Sequence, residues 1–493
     1  MKISDKTPCT FDVTLNRLRG LTTPEEARQT NSFHFGLIVP PSPFVVPRGW
    51  EWIHVAPFEG PSIIAALLKG LGYKVTLLDQ REIVDPDDLK TKIQDFDAIG
   101  FSTFGDSYNY TEAAVRICKE LRPNIPVILG GPLITSAPEV IMESTLADYA
   151  VIGEGELTLI ELMDFLTRNE HAKNIHQING LLWKSAEGKV MRNAGRAQIT
   201  DLDAIPFQDF SVWDRFKGKD IPEIYLSYSR GCIANCTFCY RAFPELNAKS
   251  TLRVRRELEY YKKYNFKMAW WNDLTFVTDK KYVHDLMDVA LPVHDFRWTA
   301  FSRVVGIDVP VLKHMKDRGL DLVLYGMESV SKTVLNNYKK GITQNAIVDA
   351  IYMNREAQVK VGGLFIVGGP HDNKETMKQL IDFCDEFKEV TRVKYLSAIP
   401  GTQDFANFLK NGKIKSTLDH LDWLSREQSV EEDIIQPGFV KFTDHLTHEE
   451  LREIYVKINN KIEQRPYDYN NPDNIFLEKP DAKFYKRPIL QAR

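Results

Sequence analysis

The chain has 493 residues, length for two to four domains with sizeable cores, and its 43% hydrophobic and 26% charged residues are the balance of a soluble globular protein. A net charge of −4 offers no footprint for a polyanion, so no nucleic acid partner is expected. Three of the six cysteines fall within eight residues while Cys9, Cys118 and Cys384 stand alone, which argues against a disulfide framework.

Residues 1–33 are polar and without a period, and are expected to form an N-terminal extension. The opening MKISDKTPCT has no apolar signal region, and runs such as VGGLFIVGG are far too short to cross a bilayer. A cytoplasmic protein without an integral membrane segment is the expectation.

From 34 to 195, short apolar runs alternate with helical patterns. The runs are FHFGLIVP (33–40), YKVTLLD (73–79), FDAIGFST (96–103), IPVILGG (125–131) and ADYAVIG (147–153). Between them IIAALLKGLG, TEAAVRICKELR and APEVIMEST repeat apolar positions at three and four. Continuous apolar strands separated by helices predict a parallel sheet covered on both faces, hence a doubly wound, Rossmann-like domain of α/β class. Such a sheet takes ligands at the carboxyl ends of its strands.

A linker with turn character spans 196–222, and a second β/α series runs from 223 to 420. Its strands are EIYLSYSRG (223–231), KMAWWND (267–273), FRWTAFS (296–302), DLVLYGME (321–328), VKVGGLFIVG (359–368) and RVKYLSAI (392–399). Six units predict a partial (β/α)6 TIM barrel with working loops at its C-terminal face. Residues 421–493 read as a small α-rich region followed by a Pro-, Asn- and charge-rich tail, placed to cover the barrel mouth.

Directly after the first barrel strand stands Cys232-Ile233-Ala234-Asn235-Cys236-Thr237-Phe238-Cys239. Three thiolates at this spacing reach three irons of a [4Fe–4S] cubane and leave the fourth iron open to a small molecule. Zinc is the rival reading, but structural zinc wants four ligands and no second cysteine pair exists. The next histidine after Cys239, His284, lies 45 residues on in an expected helix.

The loop, with an aromatic before its last cysteine, resembles the radical S-adenosylmethionine (SAM) superfamily. Gly326-Met327-Glu328-Ser329 is similar to that family's Gly-x-Glu-Ser, Phe365 to Pro370 to its Gly-x-x-Gly-x-Pro region, and Ala398 to Thr402 to its Pro-Gly-Thr. The resemblance implies that Cys232, Cys236 and Cys239 hold the cluster. It implies SAM contacts from Phe238, Asn272, Asp273, Arg303, Glu328, Ser329 and Gly368, the alternatives being an ion pair for Arg303, strand capping for Asn272 and Asp273, and a barrel-mouth hydrogen bond for Glu328 and Ser329. SAM would be cleaved reductively to a 5′-deoxyadenosyl radical that abstracts hydrogen from substrate, the cofactors supplying the hard chemistry. Trp270 and Trp271 either line the cavity or belong to the core, and His371 is a possible acid–base group; no catalytic side chain is singled out.

The first β/α domain resembles the cobalamin-binding domain that precedes many radical SAM modules, on Gly60-Pro61, the strand end Gly100 to Thr103, Gly130-Gly131-Pro132 and Gly153-Glu154-Gly155-Glu156. Cobalamin contacts are then expected from Ser102, Thr103, Gly130, Gly131, Gly153, Glu154 and Gly155, glycines allowing close approach to the backbone and Thr158 beginning the following helix. The Asp-x-His-x-x-Gly loop of methylcobalamin and mutase domains is absent, PPSPFVVPRG standing there instead. Relatives that hold cobalamin without a lower histidine accommodate this; a sheet without cobalamin is the alternative.

The resemblance implies an enzyme, most simply a C-methyltransferase acting on an unactivated carbon of a small molecule or natural product and reduced by a flavodoxin or ferredoxin. Oxidative cyclisation or ring rearrangement is the alternative within the same architecture, and a non-catalytic cobalamin or SAM sensor the alternative of another class. No second three-cysteine motif or cysteine-rich C-terminus points to the methylthiotransferase or SPASM branches.

Overall fold

The computed structural model describes residues 13–20, 29–41, 56–81, 85–293, 295–427 and 440–463, within which the chain forms two compact units. In the first, strands β1 (His34–Val39), β2 (Lys74–Asp79), β3 (Ala98–Ser102), β4 (Val127–Gly130) and β5 (Tyr149–Val151) are parallel. Two antiparallel strands, β6 (Leu181–Lys184) and β7 (Val190–Arg192), extend the sheet. The order β2-β1-β3-β4-β5-β6-β7 puts the topological switch between β1 and β3, where an open α/β sheet offers its crevice. All six residues of β1 are buried, as a strand covered on both faces must be.

The β6–β7 hairpin was not expected. Its strands carry Trp183, Lys184 and Arg192 rather than an apolar run, and the positive φ of Gly188 (77°) turns the chain between them. The N-terminal extension also holds structure. Helix Val13–Arg19 docks on helix Gly155–Thr167, with Thr14 donating to Glu161 (3.0 Å) and Arg17 to Asp164 (3.1 Å). The segment expected as a linker folds into 3-10 turns, and its Trp213 indole donates to Ser62 at 2.9 Å.

The second unit is built on β8 (Glu223–Leu226), β9 (Met268–Trp271), β10 (Arg297–Ser302), β11 (Leu320–Glu328), β12 (Lys360–Val367) and β13 (Val390–Tyr395). All are parallel, and each pairs only with its neighbours in chain order. Among the described residues β8 and β13 do not pair, so the barrel is open, a (β/α)6 arc. Its helices start at side-chain caps: Asp279 accepts from Tyr282 N–H, Asp308 from Val311 N–H, Thr343 from Ala346 N–H and Asn373 from Thr376 N–H. Trp271, Trp298, Phe276 and Tyr228 pack ring against ring with centroids 5.1–6.3 Å apart, so Trp271 belongs to the core, and Trp270 is buried as well.

Helices Thr417–Glu427 and His448–Glu463 follow. Cys9, most of the PPSPFVVPRG loop and the C-terminal tail lie outside the described residues. No described helix is long and apolar enough to cross a membrane.

Candidate active site

Strand β8 delivers the chain to the cysteine loop at the barrel's carboxyl end, where the expected ligand contacts also gather. Asp273, just beyond β9, is almost wholly buried and fixes the approach to the loop. Its carboxylate accepts the Ser229 N–H (2.7 Å), the Tyr228 N–H (3.3 Å) and the Ser229 hydroxyl. Asn272 beside it is exposed, its backbone N–H bonded to Leu226 and its carboxamide directed to no described partner. The adjacent pair therefore divides its work: Asp273 builds the loop, and Asn272 is open to a ligand.

Within the loop, Ala234 N–H points at Cys232 Sγ (3.4 Å) and Thr275 Oγ1 lies 3.8 Å from the same sulfur. Arg241 clamps the loop, its guanidinium donating to the carbonyls of Cys232 (3.0 Å) and Ala234 (2.7 Å) and to Asn235 Oδ1 (2.8 Å). Thr237 ties the loop to the last barrel connection: its hydroxyl donates to Asp404 Oδ2 (3.0 Å), and its carbonyl accepts the Asp404 N–H (3.0 Å). Residue 239 is exposed overall, yet burial around its sulfur, then Cys236 and Cys232, push its thiol up to about 11, with Lys340 pulling the other way.

Around this loop stand the ends of the other strands. Phe238 is half-buried and meets Tyr338 edge-on at 4.9 Å. Arg303, just past β10, donates to the Lys340 carbonyl. Glu328 ends β11 at a register shift, with φ of 63° and its carboxylate 2.8 Å from Lys340 Nζ. The Ser329 hydroxyl accepts from Ser331 N–H at 3.1 Å, which leaves its own proton free to donate. Gly368 follows β12 at φ 81°, packed on Tyr395 and Leu451.

Asp372 sits beneath the Gly368–Gly369 turn, nearly all of it buried, accepting from Gly369 N–H at 3.0 Å. Burial pushes its carboxyl up to about 7 against these backbone donors. His371 lines a polar cleft of about 360 Å³ with Thr237, Lys339, Gln403, Asp404 and Asn407, beside the cysteine loop. Arg241, Tyr338, Lys340, Asp372 and Asp404 were not anticipated. Arg241 follows the last cysteine by two residues without belonging to a motif, and only the fold brings Tyr338 and Asp404 to the loop and Asp372 to the Gly369 turn.

In the first unit the expected cobalamin contacts share the carboxyl edge of the sheet. Ser102 ends β3, Gly130 ends β4, and Gly153, Glu154 and Gly155 follow β5. Thr103 is fully buried with its hydroxyl committed to the Gly130 carbonyl (2.7 Å), so the edge is rigid there. Gly131, at φ 99°, lies so close to Thr103 that a Cβ would stand 2.5 Å from its carbonyl oxygen. The Glu154 carboxylate accepts the Ile199 N–H and Thr158 donates to the Asn179 carbonyl (2.9 Å), holding the turn after β5. Helix Gly155–Thr167 starts at Gly155 rather than at Thr158. Ser102 is half-buried and makes no side-chain hydrogen bond among the described residues. A Cβ at Gly60, Gly105 or Gly153 would meet nothing within 4 Å, and at Gly130 only the Phe101 carbonyl at 3.8 Å. These glycines bare the backbone along one edge, as close approach of a large ligand requires, and on this observation the residues fit cobalamin.

Comparison with known proteins agrees with the two-part reading. The B12 binding domain family matches residues 60–163, and the Radical SAM superfamily matches residues 226–384. An uncharacterised methyltransferase of Pyrococcus horikoshii is 30% identical over 349 residues, covering 68% of this chain and 73% of the relative. An anaerobic magnesium-protoporphyrin IX monomethyl ester cyclase of Rubrivivax gelatinosus is 25% identical, covering 64% of this chain and 60% of the relative. The solved radical SAM methyltransferase TsrM of Kitasatospora setae, with cobalamin and a [4Fe–4S] cluster bound, superposes with a TM-score of 0.62 at 16% identity, over 77% of this chain and 75% of its own.

Proposed function

The chain belongs to the radical SAM superfamily, in the branch that carries an N-terminal B12-binding domain, and on that premise we propose that it methylates an unactivated carbon of a small-molecule substrate. The observation that carries this reading is the pairing of a three-thiol loop at the barrel's carboxyl end with a glycine-bared sheet edge in the preceding unit. When bound, the cluster supplies the electron that cleaves SAM, and cobalamin supplies the methyl carrier.

The chain's own residues bind and orient. Cys232, Cys236 and Cys239 hold three irons, and the Asp273 and Arg241 contacts keep their loop in shape. Arg303 suits the SAM carboxylate, since a guanidinium pairs with a carboxylate in two-pronged fashion. Glu328 and Ser329 suit its ribose hydroxyls or amine, Phe238 borders the adenine, and Asn272 and Gly368 complete the rim. Ser102, Thr103, Gly130, Gly131, Gly153, Glu154 and Gly155 form the cobalamin edge. Electrons come from a flavodoxin or ferredoxin, and the protein works in the cytoplasm.

The likeness to a cyclase supports a second reading, oxidative cyclisation without methyl transfer. A test that separates the readings supplies anaerobically reconstituted protein with SAM and a reductant, with and without hydroxocobalamin. Methyl transfer predicts S-adenosylhomocysteine that appears only with hydroxocobalamin, together with 5′-deoxyadenosine. Cyclisation predicts 5′-deoxyadenosine alone. A sensor makes neither, and that result would sink the enzymatic reading.

A further inference from the structure

The turn 338–341, between helices Lys332–Asn337 and Gln344–Ala357, belongs to none of the motifs above, yet it touches two of them and Arg303. Its Tyr338 carbonyl accepts the Thr237 N–H of the cysteine loop at 3.1 Å, and its Tyr338 ring meets Phe238. The Lys340 ammonium donates to Glu328 Oε1 at 2.8 Å, the two side chains only 8% and 10% exposed, and lies 6.0 Å from the Phe238 ring centre. The Lys340 carbonyl in turn accepts from the Arg303 guanidinium.

Two details show that the pair is built in rather than incidental. Glu328 holds a φ of 63°, a left-handed value that a residue with a Cβ keeps only where its surroundings impose it. Gly326 forms the floor: a Cβ there would stand 2.5 Å from Glu328 Oε1 and 2.9 Å from Lys340 Nζ. Neither charge is left alone in this buried place, where an unpaired one would be costly.

We propose that Lys340 is the positioning residue of the SAM pocket. Its ammonium fixes the Glu328 carboxylate and its carbonyl fixes the Arg303 guanidinium. One residue thereby sets two charged groups read above as SAM contacts, Glu328 toward its ribose or amine and Arg303 toward its carboxylate. This rests on the SAM-binding reading above and adds a residue to it. Substitution of the side chain removes the hold on Glu328 and leaves the carbonyl that holds Arg303, so the effect is confined to the Glu328 contact.

The test uses the full-length protein reconstituted with iron and sulfide, as wild type, Lys340→Met, Lys340→Gln, Glu328→Gln and the double variant Lys340→Met/Glu328→Gln. SAM is titrated against the electron paramagnetic resonance spectrum of the reduced cluster. The expected result is unchanged iron content, with the SAM concentration for half the spectral change raised about tenfold or more in each single variant, the loss of a charged hydrogen bond. The double variant should be no worse than Lys340→Met, because the pair acts as a unit. The proposal is overturned if both Lys340 variants titrate like wild type. It is equally overturned if both lose their iron, which would make Lys340 a residue of the fold alone. A wild-type spectrum that ignores SAM would instead overturn the SAM-binding reading, and this proposal with it.

Discussion

Asp273, expected as a SAM contact or a strand cap, anchors the backbone that leads into the cysteine loop, accepting from Ser229 and Tyr228. Asp273→Ala strands two buried N–H groups and should cost about 3 kcal/mol in denaturant unfolding, with iron retention falling alongside. Asp372 carries a pH signature. Its folded value of about 7 exceeds the ordinary 3.8, so the folded state keeps a proton that the unfolded chain has released. That contribution to stability is complete below about pH 4 and is lost as pH rises through about 7. Asp372→Asn should remove this component, so the difference in unfolding free energy between variant and wild type should change across pH 4–7 and level off above it; a constant difference contradicts the assignment. The cysteine spacing could be read from the chain because all three ligands are local. Arg241 could not, since nothing marks one arginine two places after Cys239 as the clamp of the loop.

At the scale of elements, the central strands of both sheets were legible because a strand buried on both faces must be a continuous apolar run. The β6–β7 hairpin was not, because its strands are only four and three residues long and end in the charged Lys184 and Arg192. Helix Val13–Arg19 escaped because its seven residues are too few to show a period; Leu18 is buried, and Thr14 and Arg17 bond to Glu161 and Asp164 of helix Gly155–Thr167. The glycine edge makes a prediction of its own. Gly131→Ala forces a Cβ against the Thr103 carbonyl at a φ of 99°, which should destabilise the first unit by more than about 1 kcal/mol. Gly130→Val should instead weaken hydroxocobalamin binding, read by absorbance titration, because Gly130 has an ordinary φ and a Cβ there would meet only the Phe101 carbonyl at 3.8 Å; unchanged affinity would remove that edge from the site. Cap Asn373 bonds the N–H groups of Glu375 and Thr376, and Asn373→Ala should cost about 1 kcal/mol by thermal unfolding.

For the whole molecule, a parallel sheet with its switch point between β1 and β3 and an open (β/α)6 arc each present function at the carboxyl ends of their strands. Alternation of strand and helix made that architecture legible from the chain. The residues that join one strand end to another, such as Lys340 between β10 and β11 or Asp404 beneath Thr237, were not, because sequence order says little about which loops meet. The account depends most on what the three thiols hold. Its most direct test measures iron content and 5′-deoxyadenosine formation from SAM by the anaerobically reconstituted, chemically reduced protein, alongside single Cys→Ala variants at 232, 236 and 239. Wild type should retain iron and form 5′-deoxyadenosine, and each variant should form none; a wild type that binds zinc in place of iron, or variants that still cleave SAM, would contradict it.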